Sequence, residues 1–197
     1  MTNCSTLGAL SLTVALMAAC GPASAPPPET PSDESVSAPR LPGGFLRTDG
    51  RGDVAVTKAG AVQCAPTSAQ DAATALAATN AVRARAGLAA LQTHAAIQRA
   101  AESHACDMAR RGLMTHAGSS TTGPAARVRA EGYGPRVTSE NIAAGRMDLQ
   151  RTLAEWSSSP DHQSNVVIPG LRHMGIGSAV GSDGRTVFWA AVYAQPR

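Results

Sequence analysis

Hydrophobic and polar positions follow two rhythms along the chain. In "SAQDAATALAATNAVRARA" the apolar residues recur at helical spacing, Thr67 with Gln70 fits a capping box ahead of them, and Gly87 stops the run. A second helix opens near Thr93. Ile97, Ala100, Ala101, His104, Ala105 and Met108 share one face of it, Cys106 falls roughly opposite that stripe, and Gly112 ends it. "GPAARVRAEG" predicts a short third helix with Pro124 in its first turn and Gly132 past its end. "SENIAAG" reads as a strand or strand edge. Asp148 caps a fourth helix, "LQRTLAEWSS", which Pro160 closes. The rhythm then changes: "HMGIGSAVG" and "TVFWAAVYA", joined by "GSDG", form a hairpin signal. Helices first and strands mostly late predict an α+β domain, with helices packed on a small antiparallel sheet.

Before Cys64 no such rhythm holds. Residues 21–63 are rich in Pro, Ser, Gly and Ala and read as a tether, leaving 64–197 as the domain. The tripeptide Arg51–Asp53 matches an integrin-binding motif, but three residues recur easily by chance, and the loop reading is preferred. At the start, "LGALSLTVALMAAC" is an apolar run shorter than the roughly 20 residues a membrane span needs, and it reads as a secretion signal. Met17-Ala18-Ala19-Cys20 resembles the lipobox of bacterial lipoproteins. That resemblance implies a signal peptide over 1–20, a lipid on Cys20, and an extracytoplasmic location on a membrane, periplasmic or at the cell surface. Cleavage after Ala23-Ser24-Ala25, which would release a secreted protein, and an uncleaved anchor are the alternatives.

Composition adds two constraints. Of 197 residues 43% are hydrophobic but only 3% aromatic, so the core is built from small aliphatic side chains with limited area per residue, which favours a covalent staple. Outside the signal, Cys64 and Cys106 remain, and in an oxidising compartment a disulfide is the simplest pairing; a two-Cys zinc site and two free thiols are the alternatives. The net charge of +3 is weak and scattered, which argues against nucleic acid as a partner.

Three ionisable residues stand where hydrophobic pattern does not explain them: His116 past the second helix, Glu140 at the opening of "ENIAAG", and His162 after the Pro160-Asp161 turn. All sit in loops or at element ends, where site residues concentrate. Two imidazoles and a carboxylate suit zinc with an open position, or acid–base work. No "HExxH" and no nucleophile elbow occurs.

The order "TNAVRARAGLAAL", "AAESHACDMARRGLMTHAG", "AARVRAEGYG", "SENIAAG", "EWSSSPDHQSNVV" and "RHMGIGSAV" resembles the CAP superfamily, also called the SCP/TAPS or CRISP–antigen 5–PR-1 domain, in its short bacterial branch. The resemblance covers about residues 67–195. It implies a three-layer α-β-α sandwich whose cleft carries a tetrad of two His and two Glu, metal-binding in some members. His116 matches the first tetrad His, Glu140 the Glu of "GEN", and His162 the His of "SPGH". Ser139 and Asp161 replace the two Gly, and "WSSS" stands where the second Glu is usual. Metal binding by His116 and His162, with Glu140 as third ligand or as a partner behind them, is therefore possible but is not the main expectation; zinc or another divalent ion is the implied cofactor. His104 is expected in the core with a backbone partner, His94 in solvent at a helix start, and His173 at the cleft rim. Trp156 and Trp189 are expected as core anchors. The resemblance implies a monomeric binding module for a small, lipidic or glycan ligand rather than an enzyme. A cleft hydrolase, metal-assisted or using a serine among 157–159 activated by His162, is the alternative, and a structural cell-envelope role a further one.

Overall fold

A computed structural model describes residues 46–47 and 53–197; the signal, Cys20 and most of the tether, including Arg51 and Gly52, lie outside the described residues. Five helices form among the described residues: α1 (Ala69–Arg85), α2 (Ala95–Arg111), α3 (Pro124–Ala130), α4 (Leu149–Ser158) and α5 (Pro160–Val166). The strands are β1 (Leu46–Arg47), β2 (Val54–Ala55), β3 (Gln63–Cys64), β4 (Gln92–Thr93), β5 (Leu113–Met114), β6 (Pro135–Gly145), β7 (His173–Val180) and β8 (Val187–Pro196).

Local chemistry sets most boundaries. The α1 cap is Ser68, whose hydroxyl accepts from the Asp71 N–H. Thr67, expected as the cap, instead donates its hydroxyl to the Ile176 carbonyl and its N–H to Glu102, tying the chain to β7 before the helix starts. Asp148 caps α4 through the Arg151 N–H, and α2 ends on Gly112 at φ 64°. Pro160 closes α4 after Ser158, as the sequence reading expected, and at once opens a further helix that was not read. It occupies the first turn of α5, where the missing N–H has no intrahelical partner to lose. His162 is accordingly a helical residue, not a loop residue.

The main sheet has the order β1-β6-β8-β7-β3, with β4 paired to β7 beside β3. β8 lies in the middle, antiparallel to β6 and β7 in a register that runs Glu140 opposite Val192 and Met174 opposite Tyr193. β2 and β5 form a separate antiparallel pair.

Alternation along β8 divides the core into two layers. Trp189, Ala191 and Tyr193 pack with Ala75 and Val82 of α1, Leu149 and Trp156 of α4, and Val166 of α5. Phe188, Ala190, Val192 and Ala194 face the other way, onto the Ala-rich face of α2 and Val128 of α3. This is an α-β-α sandwich. On β7, Gly175 and Gly177 let α2 lie directly on the strand: a Cβ would stand 2.5 Å from Gln98 Cα and 2.4 Å from Glu102 Cα, respectively. Both tryptophans are anchors, 5% and 6% exposed, with Trp156 Nε1–H donating to Ile142 O and Trp189 Nε1–H to Met147 O.

Two expectations need correction. Cys106 does not lie away from the core. It is 7% exposed, packs among the α2–β8 residues, and forms a disulfide with Cys64 at a Cα–Cα distance of 5.4 Å. Closing a loop with sequence separation 42 stabilises by about 4 kcal/mol in the chain-entropy account. The tether also gives way to structure before Cys64. β2 pairs with β5, Val56 and Thr57 donate to the Gly112 carbonyl, and Ser182 donates its hydroxyl to the Lys58 carbonyl. Such backbone pairing needs no hydrophobic period, so composition could not reveal it.

Candidate functional site

β6 is the element that organises the site. Its residues alternate between the two helical layers. Ser139 donates its hydroxyl to the Asn165 carbonyl of α5 at 2.7 Å. Its neighbour Glu140 turns the opposite way, towards α2 and α3. Asn141 turns back to α5, donating to the His162 carbonyl at 3.2 Å. Asn165 closes the arrangement, donating to the Glu140 carbonyl at 3.1 Å and the Asn141 side-chain oxygen at 2.9 Å.

Glu140 is 0% exposed, and both carboxylate oxygens are engaged. Oε1 lies 2.9 Å from His116 Nδ1 and 3.6 Å from His104 Nε2; Oε2 accepts from Arg127 Nη2 at 2.5 Å. Arg127 also donates to the His116 carbonyl at 3.0 Å, so one guanidinium fixes both the acid and the backbone of its imidazole partner. Burial by itself would raise the Glu140 carboxyl. The electrostatics of His104 and Arg127 and the hydrogen bond with His116 outweigh it and hold the group at about 2. Burial pushes His104 down to about 4, against the opposing pull of Glu140, so this imidazole is neutral at neutral pH. There the permanent cation beside Glu140 is Arg127.

Protonation states follow from the partners. An ionised carboxylate only accepts, so His116 donates from Nδ1–H. His104 Nε2 faces the Thr115 carbonyl at 2.9 Å and must carry the hydrogen there. The backbone-bonded core histidine read from the sequence is therefore what the structure shows, with Glu140 as an additional neighbour.

Of the three residues singled out from the sequence, His116 and Glu140 meet directly. His162 approaches β6 from the other layer. It is 8% exposed, and its ring centroid lies 6.3 Å from that of Trp156. Glu140 stands behind His116, held by Arg127, and is not disposed as a third ligand. Among the described residues no group of three His, Cys, Asp or Glu side chains is arranged to hold a metal ion.

Two of the three candidate serines are engaged within their own helix. Ser157 and Ser158 donate their hydroxyls to the carbonyls of Ala154 and Glu155, three residues back on their own helix. Those protons are used within α4, not presented to an imidazole. His94 caps α2, its Nδ1 accepting from the Ala96 N–H, and is half-buried rather than solvated. His173 Nδ1 pairs with the Tyr133 hydroxyl at 2.9 Å, and the His94 and His173 rings lie 4.9 Å apart. Sequence reasoning gave no role to Arg127 or to the two bridging asparagines. Arg127 had one weak signal: with Pro124 and Val128 it forms the buried face of α3.

Away from this cluster, a cavity of about 380 Å³ opens between α1, α4 and α5, reaching inward to Asn141 and Tyr193.

Residues 76–193 match the model of the cysteine-rich secretory protein family, CAP. The chain belongs to this family. Solved structures resemble its fold. An outer surface protein from Borrelia burgdorferi superposes with a TM-score of 0.58 at 18% identity, over 66% of this chain and 96% of that one. An extracellular protein containing an SCP domain from Bacillus anthracis str. Ames gives 0.56 at 22% identity, over 64% of this chain but only 40% of that one. No curated protein matches the chain. No helix among the described residues is long and apolar enough to cross a membrane.

Proposed function

We propose that this CAP domain is a non-enzymatic binding module, exported and held at a membrane by a lipid on Cys20, that takes a small amphiphilic ligand between α1, α4 and α5. The carrying observation is the contrast between two regions. The His116–Glu140–Arg127 cluster is closed, with both carboxylate oxygens committed to protein partners. The α1–α4–α5 cavity is open and lined by Ala78, Val82, Leu153, Trp156, Val166 and Tyr193, with Arg85, among the described residues, the one charged side chain on it. Thr74, Thr79, Asn141, Gln150, Ser157 and Gln163 add polar groups to these apolar side chains, and a mixed lining of this kind can fix and orient a small molecule. Among small, lipidic and glycan ligands, that lining suits an apolar chain with one anionic end facing Arg85.

Export is supported by the signal-like N-terminus and by the Cys64–Cys106 disulfide, which belongs in an oxidising compartment. The similar chains described as an outer surface protein and an extracellular protein agree with that placement.

Titration of the purified chain with dodecanoate, followed by tryptophan fluorescence, tests the reading, because Trp156 lines the cavity. The expected result is a saturable change that Ala78→Phe weakens about tenfold or more by filling the cavity, and that Glu140→Gln leaves in place. Binding indifferent to Ala78→Phe, or lost in a folded Glu140→Gln variant, overturns it.

A further inference from the structure

Charge is unevenly divided between the two ends of the main sheet. One end is made by the starts of β6 and β7, the end of β8, and β4. There the Arg197 N–H donates to the Gly134 carbonyl at 3.1 Å, the Arg172 N–H donates to the Ala194 carbonyl at 3.0 Å, and Gln92 stands opposite His173. The last turn of α3 joins this end, because Tyr133 follows that helix and pairs with His173. The segments that form it, 83–99, 129–137, 167–174 and 194–197, hold seven arginines and one acid, Glu131. The segments at the opposite end, 53–71, 107–113, 145–151 and 180–187, are nearly balanced, with six Lys and Arg against five Asp.

Most of the seven arginines are uncommitted. Arg83 is buried and donates to the Ala89, Val166 and Ile168 carbonyls, and Arg99 pairs with Glu131 at 2.7 Å. Arg85, Arg129, Arg136, Arg172 and Arg197 are exposed and form no ion pair among the described residues. With the carboxylate that follows Arg197 set against it, four exposed positive charges remain. The surface they share is not apolar. Among the described residues Val54 is the one large hydrophobic side chain that is exposed, and it pairs with Met114 at the other end.

The path of the chain says what this end meets. β1 runs parallel to β6, with Leu46 opposite Thr138 and Arg47 opposite Ser139, so the chain enters β1 from the arginine-rich end. Residues 21–45 separate that entry from Cys20. At no more than about 3.6 Å per residue they reach about 90 Å at most, so a lipid on Cys20 keeps the domain within reach of a bilayer. Screening then decides which charges the bilayer feels. The Debye length is about 8 Å at physiological ionic strength, so the end turned towards the surface counts and the net charge of the chain does not. Anionic phospholipid surfaces attract arginines held close to them, and a guanidinium matches the geometry of a phosphate.

We propose that the end of the domain carrying Arg129, Arg136, Arg172 and Arg197 docks on an anionic phospholipid surface, turning that end towards the membrane that holds Cys20. The orientation rests on the lipid-anchor reading. The docking does not, and its test uses a chain without the lipid, so the two fail separately.

The test is co-sedimentation of residues 21–197 with phosphatidylcholine vesicles, with and without about 30% phosphatidylglycerol. This chain keeps every described residue and drops the apolar leader, which would itself enter a bilayer. The expected result is binding about tenfold or more tighter to the anionic vesicles, lost when salt rises from about 0.1 to about 0.5 M. Arg136→Glu with Arg172→Glu should weaken it about tenfold or more, and so should Arg129→Glu with Arg197→Glu. Arg146→Glu with Arg185→Glu makes the same change in net charge at the opposite end and should leave binding within about twofold. All six positions are exposed, and an unchanged melting temperature checks that each variant is folded. Arg85 also lines the amphiphile cavity and is left unaltered. Equal binding to neutral and anionic vesicles overturns the proposal. So does equal weakening by variants at the two ends, or tighter binding to duplex DNA than to the anionic vesicles.

Discussion

Replacing Arg127 by Met tests whether Glu140 is a charge held by one particular partner or simply a buried polar group. In the native chain the guanidinium is 6% exposed and the carboxylate 0%, with 2.5 Å between Nη2 and Oε2. Two routes give the size of the effect. Holding a carboxyl at about 2 rather than 4.5 corresponds to about 3 kcal/mol, at about 1.4 kcal/mol per tenfold. His104 and His116 share that figure, so Arg127 alone accounts for part of it. Losing the 3.0 Å bond to the His116 carbonyl adds about 1 kcal/mol. Independently, removing one partner of a buried ion pair costs about 3–5 kcal/mol, because the other charge is left without compensation. The expected loss is therefore about 3 kcal/mol, a large fraction of the roughly 5–15 kcal/mol that a domain has. Urea denaturation at neutral pH, with the disulfide intact, should show the midpoint falling by about 1–2 M at a slope of about 2 kcal/mol/M. The decisive arm is the double variant Arg127→Met with Glu140→Gln. Gln keeps an acceptor for His116 but carries no charge, so the double variant should recover at least about 1 kcal/mol over the sum of the singles. Losses that add within about 0.5 kcal/mol would show that the two residues are not coupled, and the electrostatic account of the cluster would fail.

Two further predictions concern acid and the anchor. His104 is held at about 4 against an ordinary 6.5, and Glu140 at about 2 against 4.5; in both cases the unfolded chain takes up protons first, so acid favours unfolding. The His104 contribution is complete above about 6.5 and fades as pH falls to 4, and that of Glu140 fades between 4.5 and 2. Urea midpoints measured against pH should fall from 6.5 downward, and His104→Phe should flatten the upper part; a flat native profile between 6.5 and 4 would contradict the burial argument. For the anchor, Cys20→Ser should move the protein from the membrane fraction to the soluble one, and an unchanged membrane fraction would refute lipidation at that residue.

The long elements were legible because each carries its own local signal. The apolar stripe of α2 and its Gly112 stop, the Asp148 cap of α4, Pro124 at the start of α3 and the β7–β8 hairpin are all set by residues within a few positions of one another. What could not be read was local structure without local periodicity. β2, β3, β4 and β5 are two residues each, too short for any alternation, and exist because a neighbouring strand or loop offers backbone partners. Pro160 closes α4 as read, while α5 went unread because a proline that cannot continue one helix is suited to begin the next. At the site, His116 and Glu140 were found through residue order, but Arg127 was not. An arginine in a short helix looks solvated until the fold places a buried carboxylate against it, and only the three-dimensional pairing reveals that.

The alternation of β6 also explains why two adjacent residues of "SEN" serve different layers. Glu140 points to α2 and α3, where it gathers two imidazoles and a guanidinium; Asn141 points to α5, where its amide holds the His162 carbonyl. A strand cannot send neighbouring side chains to the same face, so the acid and the amide necessarily connect opposite sides of the sandwich. Asn165 then returns from α5 to the Glu140 carbonyl, making the backbone of the acid itself part of the tie. A substitution at position 140 removes a charge from one layer, whereas one at 141 or 165 loosens the grip of the sheet on α5. Because Val166 of α5 and Asn141 both line the amphiphile cavity, the second kind of change reaches the proposed ligand and the first does not. The buried acid is thus an organiser of one half of the sandwich, while Asn141 and Asn165 hold the other half to the same strand.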